Sequence, residues 1–477
     1  MLTARLQYFD DKKQKNLIFM KTIVEMKNRT YLKLSVLALV ILTSCSCKQN
    51  IKYADKYGFL PGNDALANSE AFQRCLDGGG KIVVRKEGVY DICRTLLLDS
   101  GTDLSFADGV ILSRAKDPEG VIAKHVFLNR GALTREYDKD ITITGLNIRC
   151  NDLYNGTDIP PIVGMSCQVG FFYIKNLKIN NFTMLDLPVH DFGIQICTFE
   201  DATVENVHIE GMKDAVHFGP GKGFVVRHGI FKTYDDPIAL NAQDYTTSNP
   251  EMGWIEDGLI EDCVDLDDPE HGTTGFFVRL LAGAWKDWTP GMDIQSSGDA
   301  VVSEGRIYRS NGPKVKQNYT STEQPTHLSG TQTYSDGITW TMSQDRNVCH
   351  SCGVRNVIFR DIHLAKKRPV AICLHFDHDQ YSRSYYPYAE IPVQSNIVFE
   401  RVSVENEIPV LIQCRPPQDS LILRDCNVGS SQIRILDAID APGMRYDTTL
   451  VRLERISSDS PSELVYAPTR PVRIISD

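Results

Sequence analysis

A short β-rich unit that keeps returning is the feature that most constrains this chain. Its form is I/V-x-N/D-x-x-I/F-x-N/D, seen in IKNLKINNF (174–182), VENVHIEGM (204–212), VVRHGIFKT (225–233) and IEDGLIEDC (255–263). VRNVIFRDI (354–362) and IVFERVSVE (397–405) repeat it after wider gaps. The first four copies start at positions 174, 204, 225 and 255. Strand-like alternation at such intervals marks a solenoid, whose coils stack about 4.8 Å apart. Sandwiches and propellers alternate too, but they turn at hairpins, and Asn-Gly or Asp-Gly turns are few here. The expected fold is all-β: a single-stranded right-handed parallel β-helix, with insertions near 266–350 and 376–395.

Such a helix must cover its first coil, which otherwise exposes its core. Ser69 reads as the N-cap of a short capping helix from Glu70 to about Leu76, stopped by Gly78-Gly79-Gly80 before a strand at 81–84. Farther upstream, Lys27, Arg29 and Lys33 precede an apolar run at 34–42, too short to span a bilayer. Leu42-Thr43-Ser44-Cys45 then looks like a bacterial lipobox. Residues 1–25 are accordingly expected to precede the true start at Met26, and 26–45 to form a lipoprotein signal peptide. Cys45 is the expected lipidation site, and 46–477 the catalytic domain, anchored to a membrane of the cell envelope. A plain secretory peptide cut nearby is the alternative.

A net charge of −10 argues against nucleic acid as a partner. The 13 cysteines are scattered and mostly fall at apolar strand positions, so they read as small core residues. Cys349-x-x-Cys352 has the spacing of half a zinc or redox site, but in the absence of a second such motif it reads as a buried thiol pair or a chance disulfide.

The chemistry concentrates between Gly211 and Asn241, which hold Asp214, His217, Asp235 and Asp236. Asp214 and Asp235 are separated by the length of one coil, so the acids are expected side by side. Clustered carboxylates cannot all ionise cheaply; one keeps its proton and can act as an acid. Strand-end ladders of structural acids are the alternative. Asp191, a similar interval before Asp214, is a candidate for a further acid in that row.

Two stretches carry a family resemblance. KYGFLPGNDALANSEAFQRCLDGGGKIVVRKEGVYDI (56–92) is similar to the opening of pectin-lyase-like β-helix proteins, with Lys86 where that signature has proline. NVHIEGMKDAVHF and FKTYDDPIALNA resemble the NTDG and G-D-D motifs of polygalacturonase-like glycoside hydrolases of family 28. The resemblance implies that Asp214, Asp235 and Asp236 form the acid/base set of an inverting hydrolase. Met212-Lys213 stands where that family has Asn-Thr, and Tyr234 where it has Gly or Gln. For the family's histidine the candidates are His271, in Glu270-His271-Gly272, and His217. No Arg-Ile-Lys is present; Arg279 is the best cationic substitute for holding substrate.

Trp285, Trp288 and Tyr385, in the two insertions, are candidate sugar-stacking platforms. In His375-x-Asp377-His378-Asp379, residues 375, 377 and 379 share one strand face, which permits a metal; His375 is instead assigned to substrate contact. The expected function is an exported hydrolase cleaving a polysaccharide or oligosaccharide, without a cofactor. A calcium-dependent lyase and a non-catalytic glycan-binding or adhesive surface protein are the alternatives.

Overall fold

A computed structural model describes residues 50–295, 297–311, 318–376, 383–439 and 441–477. Cys45, the signal segment, Asp377, His378, Asp379 and Tyr381 lie outside the described residues.

The chain forms a parallel β-helix, with one 27-stranded parallel sheet winding through every coil. Each complete coil contributes to three faces. Val216–Phe218 and the two arms of Gly221–Thr233, at 221–227 and 229–233, show the pattern, each paired in parallel to its counterparts in neighbouring coils. Aliphatic columns hold the coils in register. Val169, Ile194, Val216, Ile238, Val278, Ile372 and Ile412 pair in succession along one face, none more than 1% exposed. Each such side chain contributes about 1.5–3 kcal/mol on burial, and a one-residue slip would turn it outward.

The turns explain why the repeat is visible and why its spacing misleads. Two ladders of left-handed bends run along the helix. Asp140, Asn176, Asp201, Asp257, Asn356 and Asn396 belong to one; Asn181, Asn206, His228, Asp262, Asp361, Arg401, Asp425 and Arg455 to the other. Asn and Asp tolerate positive φ best among residues with a Cβ, so both turns of a coil carry the same signature. The copies at 174 and 255 begin at the first bend, whereas those at 204 and 225 straddle the second. The strand register gives the true steps. Ile174 stands opposite Phe199, and Phe199 opposite Gly221, so even consecutive coils differ in length.

Ser69 is not a cap. The capping helix starts earlier and runs Ala65–Leu76 behind Asp64, whose carboxylate accepts from Ala67 N at 2.9 Å. Ser69 is buried inside it, donating to Ala65 O and accepting from Cys93 N. Phe72 and Leu76 close the first coil, and Phe59 stacks between Phe72 and Tyr90 at centroid distances of 4.1 and 4.4 Å. At the stop, Gly79 has φ +62°, and a Cβ there would sit 2.7 Å from Ser100 O.

The expected insertion at 266–350 is interrupted by Val278–Leu281, a regular strand of the helix. Beyond that strand the chain builds a small sheet rather than a loop. Ser297–Ser303, Arg306–Asn311, Thr339–Gln344 and Thr331–Thr333 pair antiparallel in that order, over a core that includes Ile294, Tyr308 and Trp340.

Candidate active site

Asp214 and Asp236 lie in successive turns, each just ahead of a short strand, Val216–Phe218 and Ile238–Asn241. Val216 pairs with Ile238, and Ala215 N donates to Asp236 O. Asp214 is therefore in register with Asp236 rather than Asp235, and Lys213 with Asp235. Even so, the turns bring one carboxylate oxygen from each of Asp214, Asp235 and Asp236 within 4.8 Å of the others. Gly275 is pressed against this turn; a Cβ on it would lie 2.5 Å from the Asp235 carbonyl carbon and 2.6 Å from Asp236 Oδ1.

The three acids have different surroundings. Asp214 is 3% exposed and Asp236 2%, whereas the Asp235 side chain retains 25%. Lys213 Nζ donates to Asp235 Oδ2 and lies 3.6 Å from Asp214 Oδ1. His217 is fully buried, stacked on Phe192 at 4.1 Å, with Nδ1 2.9 Å from Asp214 Oδ2 and Nε2 3.0 Å from Asn249 Oδ1. Asp236 Oδ1 accepts from Phe276 N at 2.7 Å. Asp214 Oδ1 is buried and accepts no hydrogen bond from the described residues.

Charge follows from this packing. Burial works to raise the Asp214 pKa, but Lys213, the His217 hydrogen bond and Arg279 outweigh it and hold the group at about 2. Burial, then the neighbouring Asp214 charge, pushes Asp235 above the ordinary carboxylate range against the pull of Lys213. Asp236 goes well above it, through burial and then the Asp235 and Asp214 charges. Carboxylates in contact whose proton affinities are driven apart supply an acid and a base side by side.

Other candidates divide. Arg279 joins the site: it occupies the strand position paired with Ala239, the coil neighbour of His217, and acts on all three acids. His375 lies on the next coil, paired with Leu281. His271 turns away to Asp268, at 3.1 Å. Asp191 does not extend the acid row, because its buried carboxylate accepts from Ser166 Oγ and Gln168 Nε2 and lies 3.8 Å from Arg114. The aromatic platforms fail as well. Trp285 (2% exposed) and Tyr385 (4%) are core residues, and Trp288 packs on the core of the inserted sheet and donates to Ser321 Oγ.

Lys213, Asn249 and Phe192 complete the site although no motif marks them. Only Lys213 left a signal, as a cation beside the candidate acid; Asn249 and Phe192 enter through the fold. Cys349 and Cys352 are free thiols, Cys352 donating to Ala242 O.

No protein-family model matches the chain, and no curated protein does. Among solved structures it is similar to the family 28 exopolygalacturonase of Yersinia enterocolitica, at 12% identity and a TM-score of 0.45, over 90% of this chain and 78% of that one. The surface adhesin PfbA of Streptococcus pneumoniae matches at 13% identity and a TM-score of 0.41, over 89% and 98% of the two chains. The A-module of mannuronan C-5 epimerase AlgE4 from Azotobacter vinelandii matches at 10% and 0.43, over 90% and 99%.

Proposed function

We propose that the protein is a glycoside hydrolase cleaving a polysaccharide or oligosaccharide by inversion. The observation that carries this reading is the acid trio, in which buried, ionised Asp214 adjoins two carboxyl groups driven toward protonation. Asp235, the accessible member, donates its proton to the glycosidic oxygen as the bond to the anomeric carbon breaks. Asp214 Oδ1 takes a proton from water as the water oxygen bonds to that carbon from the opposite face. Asp236 stays neutral and keeps a second negative charge out of the pocket.

The spacing within 4.8 Å is shorter than the roughly 6.5–9.5 Å usual between inverting carboxyls and suits a retaining pair, about 5–5.5 Å apart. We favour inversion because Asp214, at 3% exposure, is recessed from the open side of the site, so that a water admitted with the substrate would stand between it and the anomeric carbon. The anomer first formed, read by proton NMR, tests this; a retained configuration would make Asp214 the nucleophile.

A calcium-dependent lyase would need the acids to hold the ion. Here the ammonium of Lys213 already sits on two of them. Digestion of a polysaccharide panel is expected to release saturated reducing sugars, unchanged by EDTA. Unsaturated, EDTA-sensitive products would establish the lyase, and binding without turnover the adhesive reading.

The pH profile follows from the same charges. Activity requires Asp214 ionised and Asp235 protonated. Rate should therefore fall on the acid side only near pH 2, where Asp214 protonates. On the alkaline side it should persist above the usual carboxylate range and fall as the coupled Asp235/Asp236 pair loses its proton. A rate that rises through pH 5–7 would contradict the assignment.

We also propose that residues 26–45 direct export and that Cys45 carries the lipid anchor. In a bacterial host, Cys45→Ala should move the protein from the membrane fraction to the soluble one. Unaltered membrane association would remove the anchor.

A further inference from the structure

The inserted sheet reaches the acids through one buried guanidinium. Arg309, in the strand Arg306–Asn311, is fully buried. Its Nε donates to Ser343 Oγ (2.8 Å), Nη1 to the carbonyls of Asp244 (3.0 Å) and Tyr245 (3.4 Å), and Nη2 to those of Asn249 (2.6 Å) and Pro250 (3.1 Å). Burying a cation is costly unless its donors are satisfied, and this one spends four of its bonds on the segment 244–250.

That segment leads straight to the site. Asn249 Nδ2 donates to Asn241 O at 2.6 Å, which fixes the amide so that Oδ1 faces His217 Nε2. A second brace, Gln195 Nε2 to Ser248 O at 2.7 Å, holds the same turn. With Nε2 engaged, the ring is held, and Nδ1 stays on Asp214 Oδ2, leaving Oδ1 without a hydrogen bond from the described residues. A staple that merely attached the insertion could grip the helix anywhere; this one ends on the backbone of the residue that orients the histidine.

We infer that Arg309 is a positioning residue for Asp214, acting through Asn249 and His217, so that the inserted antiparallel sheet is a working part of the active site. The inference rests on the hydrolase reading for its kinetics, but not for its geometry. Misplacing a reacting group by about 1 Å costs on the order of 100-fold in rate.

The test uses the full chain as wild type, Arg309→Lys, Arg309→Met and Asn249→Leu, with folding checked by circular dichroism and thermal midpoint. Folded variants are expected to lose roughly 10- to 100-fold in kcat with KM changed less than about threefold. Asp214 is also faced by Lys213, Asp235, Asp236 and Arg279, which these variants leave in place. Weakening the His217 bond alone raises the Asp214 pKa, so the acid limb should move to higher pH. Ring-nitrogen NMR of His217 gives a readout independent of turnover, and Nε2 should change in every variant. Should Arg309→Met not fold, Arg309→Lys and Asn249→Leu decide. Folded Arg309 variants with wild-type kcat, acid limb and His217 signals would overturn the inference. A wild type without turnover would defeat the hydrolase reading instead, and the His217 signals would still decide the relay: changed in Arg309→Lys, it stands; unchanged, it falls.

Discussion

Replacing Asp235 by asparagine is expected to lower turnover of a natural glycan by about 10³-fold while leaving the β-helix intact, the loss typical of removing a general acid. The amide keeps the size of the carboxyl and still offers an oxygen to Lys213, so the coil register that fixes the turn is undisturbed. What disappears is the proton. A substrate whose leaving group needs none, such as a nitrophenyl glycoside, should therefore recover much of the rate. Asp214→Asn removes the group that takes the proton from water and should impair both substrates alike. Equal losses in the two variants on both substrates would mean that Asp235 is not the acid. Full activity in Asp235→Asn would leave the cluster without a catalytic role.

The sequence made the solenoid legible because its constraint is local and repeated. Every coil needs apolar residues on alternate positions and a residue at each left-handed bend that accepts positive φ, most often Asn or Asp, so the pattern survives even with two insertions. Phase was harder. Both bends of a coil carry one signature, and the coil length varies even between adjacent complete coils, so distances along the chain misplace partners by a residue or more. That error put Asp235 opposite Asp214, where Asp236 belongs.

The acids could be read because turn carboxylates beside a short strand stay close whichever of two neighbours is in register. Their supports could not. Asn249 lies well beyond His217 in the chain, in a loop whose course is set by the still more distant Arg309, and nothing local links the three. Asp191 shows the opposite failure. Its spacing suits the row, but Arg114, from two coils earlier, claims its carboxylate. Trp285 and Tyr385 misled because an aromatic in an insertion is equally suited to a sugar or to the core of the insertion itself.

The largest expected loss of stability lies beneath the site. Arg368 and Asp265 are both fully buried, with Nε 2.6 Å from Oδ2 and Nη2 3.0 Å from Oδ1, while Nη1 donates to Thr273 Oγ1 at 2.7 Å. Thr273 Oγ1 in turn donates to Tyr234 O, the residue before the acid pair, and Lys366 Nζ donates to Thr233 O at 2.6 Å. Arg368→Met leaves the Asp265 carboxylate buried without its cation, which costs about 3–5 kcal/mol, read as a lower urea midpoint. Amide exchange at Thr233 and Tyr234 should rise more than at the distant first coil, since a solenoid transmits stability mainly between neighbouring coils. Removing both charges is a different case. Arg368→Met with Asp265→Leu replaces the pair by apolar groups of similar volume and should regain most of the lost stability. If the double variant is no more stable than Arg368→Met alone, the stranded carboxylate is not what the single substitution exposes, and the loss must come from Thr273 and the turn it supports.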